Sequence, residues 1–184
     1  MATTNLAECL SAPGRICVNP TNLATAFPHG GTALGAVRAV KTRRIVTKVP
    51  IRDEAFGQEI RDFVWGGENY ILAFILRQWD ATGVATLFPN TATGTTSNRV
   101  GIESPGSVRP GTLGSTFAVK LLFSPLDPER VPAVILYSAI PFTEDTTELD
   151  HAAQKRQEVA CVVHAVRDTA DKIWQAKFLK DITL

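Results

Sequence analysis

The sequence predicts a mainly β domain, an antiparallel β-sandwich or barrel with one or two short helices. Three observations predict it. Short apolar runs rich in Val, Ile, Leu and aromatic residues recur from Arg15 to Phe178. Gly, Pro, Asn and Asp punctuate them, as turns between strands require. No long helical pattern alternates with the runs, so a βαβ fold does not fit.

In chain order, residues 1–13 are small and polar with a proline at the end, an arm that frays unless something pins it. Arg15 to Asn19 is a short strand. The Pro- and Gly-rich PTNLATAFPHGGTALG that follows supports no long element. Ala36 to Val40 and Ile45 to Ile51 read as extended segments on either side of a basic hairpin tip, Lys41, Arg43 and Arg44. In the second segment Ile45, Thr47 and Val49 alternate with Val46, Lys48 and Pro50. Pro50 lacks an N–H for the ladder, so this strand should lie at an edge or end there.

The stretch Gln58 to Asp80 holds two apolar runs, Ile60 to Trp65 and Tyr70 to Trp79, separated by Gly66-Gly67-Glu68-Asn69. Glycines take the positive φ of a tight reversal, so the stretch reads as a β-hairpin. In its second run Tyr70, Leu72, Phe74 and Leu76 fall on one side and Ile71, Ala73, Ile75 and Trp79 on the other. A strand apolar on both faces belongs in a sheet covered by the core and by a helix or another subunit. A ten-residue helix is the competing reading, because periodicity does not separate the two over so short a run. Aromatic content, β-branching and the Gly-Gly pair favour the strand.

Asp80 to Phe88 reads as a short helix, with Asp80 able to cap its start and Pro89-Asn90 to stop it. Residues 90–116 are mostly Thr, Ser, Gly and Pro, a loop long enough to suggest a function, with room for a short strand around Asn98 to Ile102. Phe117 to Phe123 and Ala133 to Ile140 flank the turn SPLDPERVP as a second hairpin. Thr143 to Gln157 is polar, with a turn of helix expected around Glu148 to Lys155. Glu158 to Val166 and Lys172 to Phe178 form a last pair of strands about a turn at Arg167 to Asp171. The sum is about eight strands in one domain spanning 1–184.

Composition narrows the function. The chain has 184 residues, enough to bury a core without disulfide or metal staples. Lys plus Arg is 19 against 18 for Asp plus Glu, a formal net charge of +1, which argues against a dedicated nucleic-acid binder. Cys9, Cys17 and Cys161 are odd in number and lack C-x-x-C spacing, which suits a reducing compartment. The start MATTNLAECLSAPGR has no basic segment followed by an apolar one, and no stretch is long enough to span a membrane. Folding in a cytoplasm is expected.

The search for chemistry is unproductive. His29, His151 and His164 do not stand at metal spacing, and the ordinary reading of His29 is a solvated loop histidine. Cys17 and Cys161 fall on strands, where packing is the ordinary role. Gly30-Gly31-Thr32-Ala33-Leu34-Gly35 lacks the Lys-Ser/Thr pair of a phosphate loop. Glu144, Asp145, Glu148 and Asp150 lack the hinge and spacing of a calcium loop. No catalytic constellation or cofactor motif is present, and no enzyme is expected.

Taken in order, GRICVNPTNLATAFPHGGTALG, RDEAFGQEIRDFVWGGENYILAFILRQWDATGVATLFPN, SPLDPERVPAVILYSAIPF and the C-terminal hairpin ending KFLKDITL resemble a group of bacteriophage tail tube proteins. The resemblance implies a β-sandwich or barrel with a short helix. It implies that six copies join their sheets into a ring and that rings stack into a hollow tail tube, the conduit for DNA ejection. The partners implied are further copies of the chain and other tail proteins, namely a tape measure, terminator, baseplate or sheath. DNA would be passing cargo and membranes would play no part. The protein would be assembled in the host cytoplasm and reside in the virion.

Stacking rings need projecting segments, and the arm 1–13, the basic tip and the loop 90–116 are available. Lys41, Arg43, Arg44, Arg99 and Arg109 are accordingly the candidate oligomer-interface residues. The near-neutral charge suits a conduit, whose bore should be polar and preferably acidic so that phosphates do not stick. Two other readings stay open. A distal tail protein, tail terminator or secretion-system tube protein shares the ring-forming fold, and a small-molecule-binding β-barrel would use the apolar hairpins to line a cavity.

Overall fold

A computed structural model describes residues 14–53, 58–79, 81–87, 92–96, 99–103, 109–142 and 159–184. Its strands are β1 (Gly14–Val18), β2 (Thr32–Asp53), β3 (Glu59–Trp79), β4 (Ala92–Thr96), β5 (Arg99–Glu103), β6 (Val119–Pro125), β7 (Ala133–Phe142), β8 (Val159–Val166) and β9 (Trp174–Lys177). Among the described residues, one helix, α1 (Ala81–Leu87), follows β3, and two short 3-10 turns lie at Gly114–Phe117 and Leu179–Asp181. The mainly β, antiparallel expectation with few helices is what the structure shows. The main sheet runs β6-β1-β2-β3-β8-β7-β9, and a further pairing of β6 with β7 closes it into a barrel.

Alternation along the strands fills the inside. Ile16 and Val18, Leu34, Val37 and Val40, Leu121 and Phe123, Val134 and Leu136, and Cys161 and Val163 meet Tyr70, Leu72, Phe74 and Leu76 of β3 in one buried cluster. Full burial of each large side chain contributes about 1.5–3 kcal/mol. Leu87 of α1 joins this cluster. Close approach is possible because residue 83 is glycine: a Cβ there would run into the Ala33 carbonyl.

A second cluster lies outside the barrel wall. Cys17, Leu122, Ala133, Ile135 and Tyr137 pack there with Ile182, under Leu23, Phe27, Leu179 and Leu184. The Tyr137 hydroxyl donates to the Thr183 carbonyl at 2.7 Å and so ties down the C-terminal segment. β6 and β7 are therefore the strands buried on both faces. The run 70–79 differs: its outward Ile71, Ala73 and Ile75 are only half-buried, and among the described residues no segment covers them as the C-terminal segment covers β7.

The structure corrects the connectivity at several points. Gly66-Gly67 does not reverse the chain; β3 runs unbroken from Glu59 to Trp79. Thr47 pairs with Gly67 and Lys48 with Trp65, so Gly66 is the extra residue of a β-bulge. Glycines inside an extended run serve a bulge as readily as a turn. Lys41, Arg43 and Arg44 are likewise no hairpin tip but the middle of the 22-residue strand β2. The reversal lies between Asp53 and Glu59, which pair with each other.

The C-terminal strands do not form a hairpin either. β8 and β9 both pair antiparallel with β7, from Ser138 to Phe142 and from Ala133 to Leu136. They therefore run the same way, end to end along one edge. The turn between them is pinched by Asp168, whose Oδ1 accepts from the amides of Ala170 at 2.9 Å and Lys172 at 2.7 Å. Within 90–116, β4 and β5 pair into a two-stranded sheet, so that segment is not simply a loop. The expectations for residues 1–13, for Asp80 as a cap and for 143–157 lie outside the described residues.

Candidate functional site

Beyond Tyr70 the ladder between β3 and β8 stops, whereas β2 and β3 stay paired from Ile45 and Asn69 out to Asp53 and Glu59. Among the described residues, the two strands thus leave the barrel as an arm, each with one unpaired edge. An isolated two-stranded ribbon is marginal in water, and open edges are places where other strands add. Pro50 sits here, opposite Phe63, which accords with the edge position its missing N–H requires.

The register assigns the side chains to faces. Val46, Lys48, Pro50 and Arg52 share one face with Ile60, Phe63, Trp65 and Glu68; Ile45, Thr47, Val49 and Ile51 share the other with Asp62, Val64 and Asn69. Both faces are apolar at their centre. Val49 is 54 % exposed, Phe63 53 %, Val64 51 % and Trp65 55 %, and Ile45, Ile51 and Ile60 are exposed as well. Contiguous exposed apolar surface of this kind is characteristic of places where proteins meet a partner, a membrane or a ligand.

At the root of the arm, Glu68 makes two bonds. Its Oε2 accepts from Arg44 Nη2 at 2.9 Å, and its Oε1 accepts from Trp174 Nε1 at 2.7 Å. Trp174 stacks on Tyr70 with centroids 4.3 Å apart, and the Arg44 guanidinium lies 5.8 Å from the centre of the Trp65 ring. The Arg44 bond, then the Trp174 bond, hold the Glu68 carboxyl below its ordinary pKa. The same bond raises Arg44.

The candidate interface cations are not one cluster. Lys41 and Arg43, opposite Ala73 and Ile71, point out of the barrel wall, and both are exposed. Arg44 points the other way and is held by Glu68. Arg99 is in β5 and Arg109 lies exposed before the first 3-10 turn, where its carbonyl accepts from Thr112. The residues that sequence reasoning missed are Ile60, Phe63, Val64 and Trp65, read only as the first strand of a β-hairpin. Charges interleaved on both faces, Lys48 and Arg52 on one and Asp62 on the other, were the available signal against burial.

His29 is not a solvated loop histidine. It is 4 % exposed, its Nδ1 donates to the Thr25 carbonyl at 2.8 Å, and its Nε2 lies 3.4 Å from Ser124 Oγ. The loop 19–31 folds back over β6 and buries it. His164 Nδ1 accepts from Asn69 Nδ2 at 3.3 Å, and His151 lies outside the described residues. Burial pushes the thiols of Cys17 and Cys161 up to about 12, far from nucleophilic. Among the described residues no group of three or more His, Cys, Asp or Glu could hold a metal, and no helix is long and apolar enough to cross a membrane. Compared with known proteins, the chain matches no family model and no curated sequence.

Proposed function

We propose that this chain is a structural subunit that assembles with copies of itself into rings, and that the rings stack into a hollow tube of the phage-tail kind. The observation that carries the reading is the arm: two strands whose outer edges are unpaired among the described residues, with exposed apolar side chains on both faces, projecting from a barrel with its own buried core. Surface of that kind is stable only when covered, and copies of the same chain offer matching edges.

The energetics favour a permanent assembly. Obligate interfaces commonly bury more than about 2,000 Å². At about 25 cal/mol per Å² of apolar area the gross gain is tens of kcal/mol, before the ordering of the partners is subtracted. Leu72, Phe74, Leu121 and Phe123 pack together in the barrel's buried cluster, so a small-molecule carrier is less well supported. A terminator or distal tail protein shares the ring-forming logic and differs in length of stacking.

On this reading the further partners are tail components such as a tape measure, a terminator and a baseplate, the site of action is the virion, and DNA is passing cargo in a bore without an excess of positive charge. Negative-stain imaging of the purified protein tests it. Rings or tubes are expected, and a uniform field of single small particles at high concentration overturns it.

A further inference from the structure

Arm and barrel are joined at a weak point. Gly66 is the extra residue of the bulge, and Gly67, at φ 137°, has nothing within 4 Å of where a Cβ would stand. Bulges bend and twist the strand that carries them, and glycine does not resist. Left to the backbone, the arm would pivot here.

A chain of side chains crosses this joint. Trp174 belongs to the barrel strand β9, where it stacks on the buried Tyr70. Its indole N–H is bonded to Glu68, Glu68 is bonded to Arg44 on the neighbouring strand, and Arg44 lies over Trp65, which stands on the arm side of the bulge. The side chain of Glu68 is only 15 % exposed, whereas that of Arg44 is 51 % exposed. The charged groups that face the Glu68 carboxylate are Arg44 and, from the turn after β8, Arg167.

We propose that Glu68 is a latch: by holding Trp174 and Arg44 together it fixes the angle of the arm to the barrel, and its loss frees the arm to swing about Gly66-Gly67. A latched arm meets its partner already oriented, which lowers the ordering cost of association. The inference concerns the single subunit, so its test does not depend on whether copies assemble.

Hydrogen exchange, read by mass spectrometry on freshly dispersed subunits, reports the arm and the barrel separately. Trp174→Phe keeps a ring on Tyr70 while removing the N–H donor and part of the indole; Glu68→Gln removes the charge and keeps the shape at a largely buried site. In both variants the amides of 45–52 and 59–66 should exchange faster by about tenfold, the scale of one net hydrogen bond, with β6 and β7 unchanged. Arm exchange within about twofold of the parent, or an equal rise throughout the barrel, overturns the latch. If Trp174→Phe does not fold, Glu68→Gln alone decides on the same criteria.

Discussion

Trp65 and Tyr70 lie on the same strand and, because Gly66 is an extra residue, on the same face of it, yet Trp65 is 55 % exposed and Tyr70 2 % exposed. Between them the chain passes from a packed barrel to an unsupported ribbon. The side chains do not become polar at that boundary. Ile60, Phe63, Val64 and Trp65 are as apolar as the residues that build the core, yet each stays about half exposed in the lone subunit.

The arm should therefore be dispensable for folding and indispensable for association. The double substitution Phe63→Ser with Trp65→Ser removes two exposed rings, and surface changes of this kind alter stability by about 0.5 kcal/mol or less. Melting by circular dichroism should stay within a few degrees of the parent, while sedimentation velocity shows the large assemblies gone. Parent-like assembly by this variant would place the contact elsewhere.

The opposite holds for Phe74, which is 2 % exposed at the centre of β3. Phe74→Ala should cost about 3–5 kcal/mol through lost contacts and a residual cavity. Phe74→Asp should give no cooperative melt, because an unpaired buried charge exceeds the margin of a domain this size. A denaturant titration of the alanine variant measures the first, and a cost under about 1 kcal/mol would contradict the packing described.

Much of this core was legible in the sequence. The alternation of Tyr70, Leu72, Phe74 and Leu76 identifies the inner face of β3, and the runs Phe117 to Phe123 and Ala133 to Ile140 stand out by apolar content alone. What was not legible was where strands stop. Gly66-Gly67 has the composition of a turn, and only the long-range pairing with Thr47 and Lys48 makes it a bulge. Lys41, Arg43 and Arg44 interrupt an apolar pattern, and a strand absorbs such an interruption when its outer face meets water. His29 went the same way: its burial is produced by a loop folding back on β6, which local sequence does not encode. The cations of the expected tip therefore stand out in the sequence, whereas the exposed apolar residues of the structure lie beyond them.

Cys17 and Cys161 should be inert in the folded protein, since both are buried and their thiols are pushed up to about 12. In a Cys9→Ser background, a chromogenic disulfide reagent at pH 8 should label neither within minutes and both at once in denaturant. Rapid labelling of the native protein would show that one of them is open to solvent.

Glu68 makes acid stability partly local. Its pKa is lowered in the folded state, chiefly by the Arg44 bond and then by Trp174. Such a group stabilises the fold above its unfolded pKa of about 4.3, and the contribution is lost as pH falls through the lower folded value. Urea midpoints measured from pH 6 downward should fall less steeply for Glu68→Gln than for the parent below about pH 4.3. Identical slopes would mean that the carboxylate adds nothing to the folded state.

The central claim is that exposed apolar strands in the arm are covered by other copies of this chain. Analytical ultracentrifugation across a hundredfold range of concentration, on the parent and on the Phe63→Ser with Trp65→Ser variant, tests it most directly. The parent should sediment as rings or larger assemblies and the variant as a folded monomer; a parent that sediments as a monomer throughout contradicts the account.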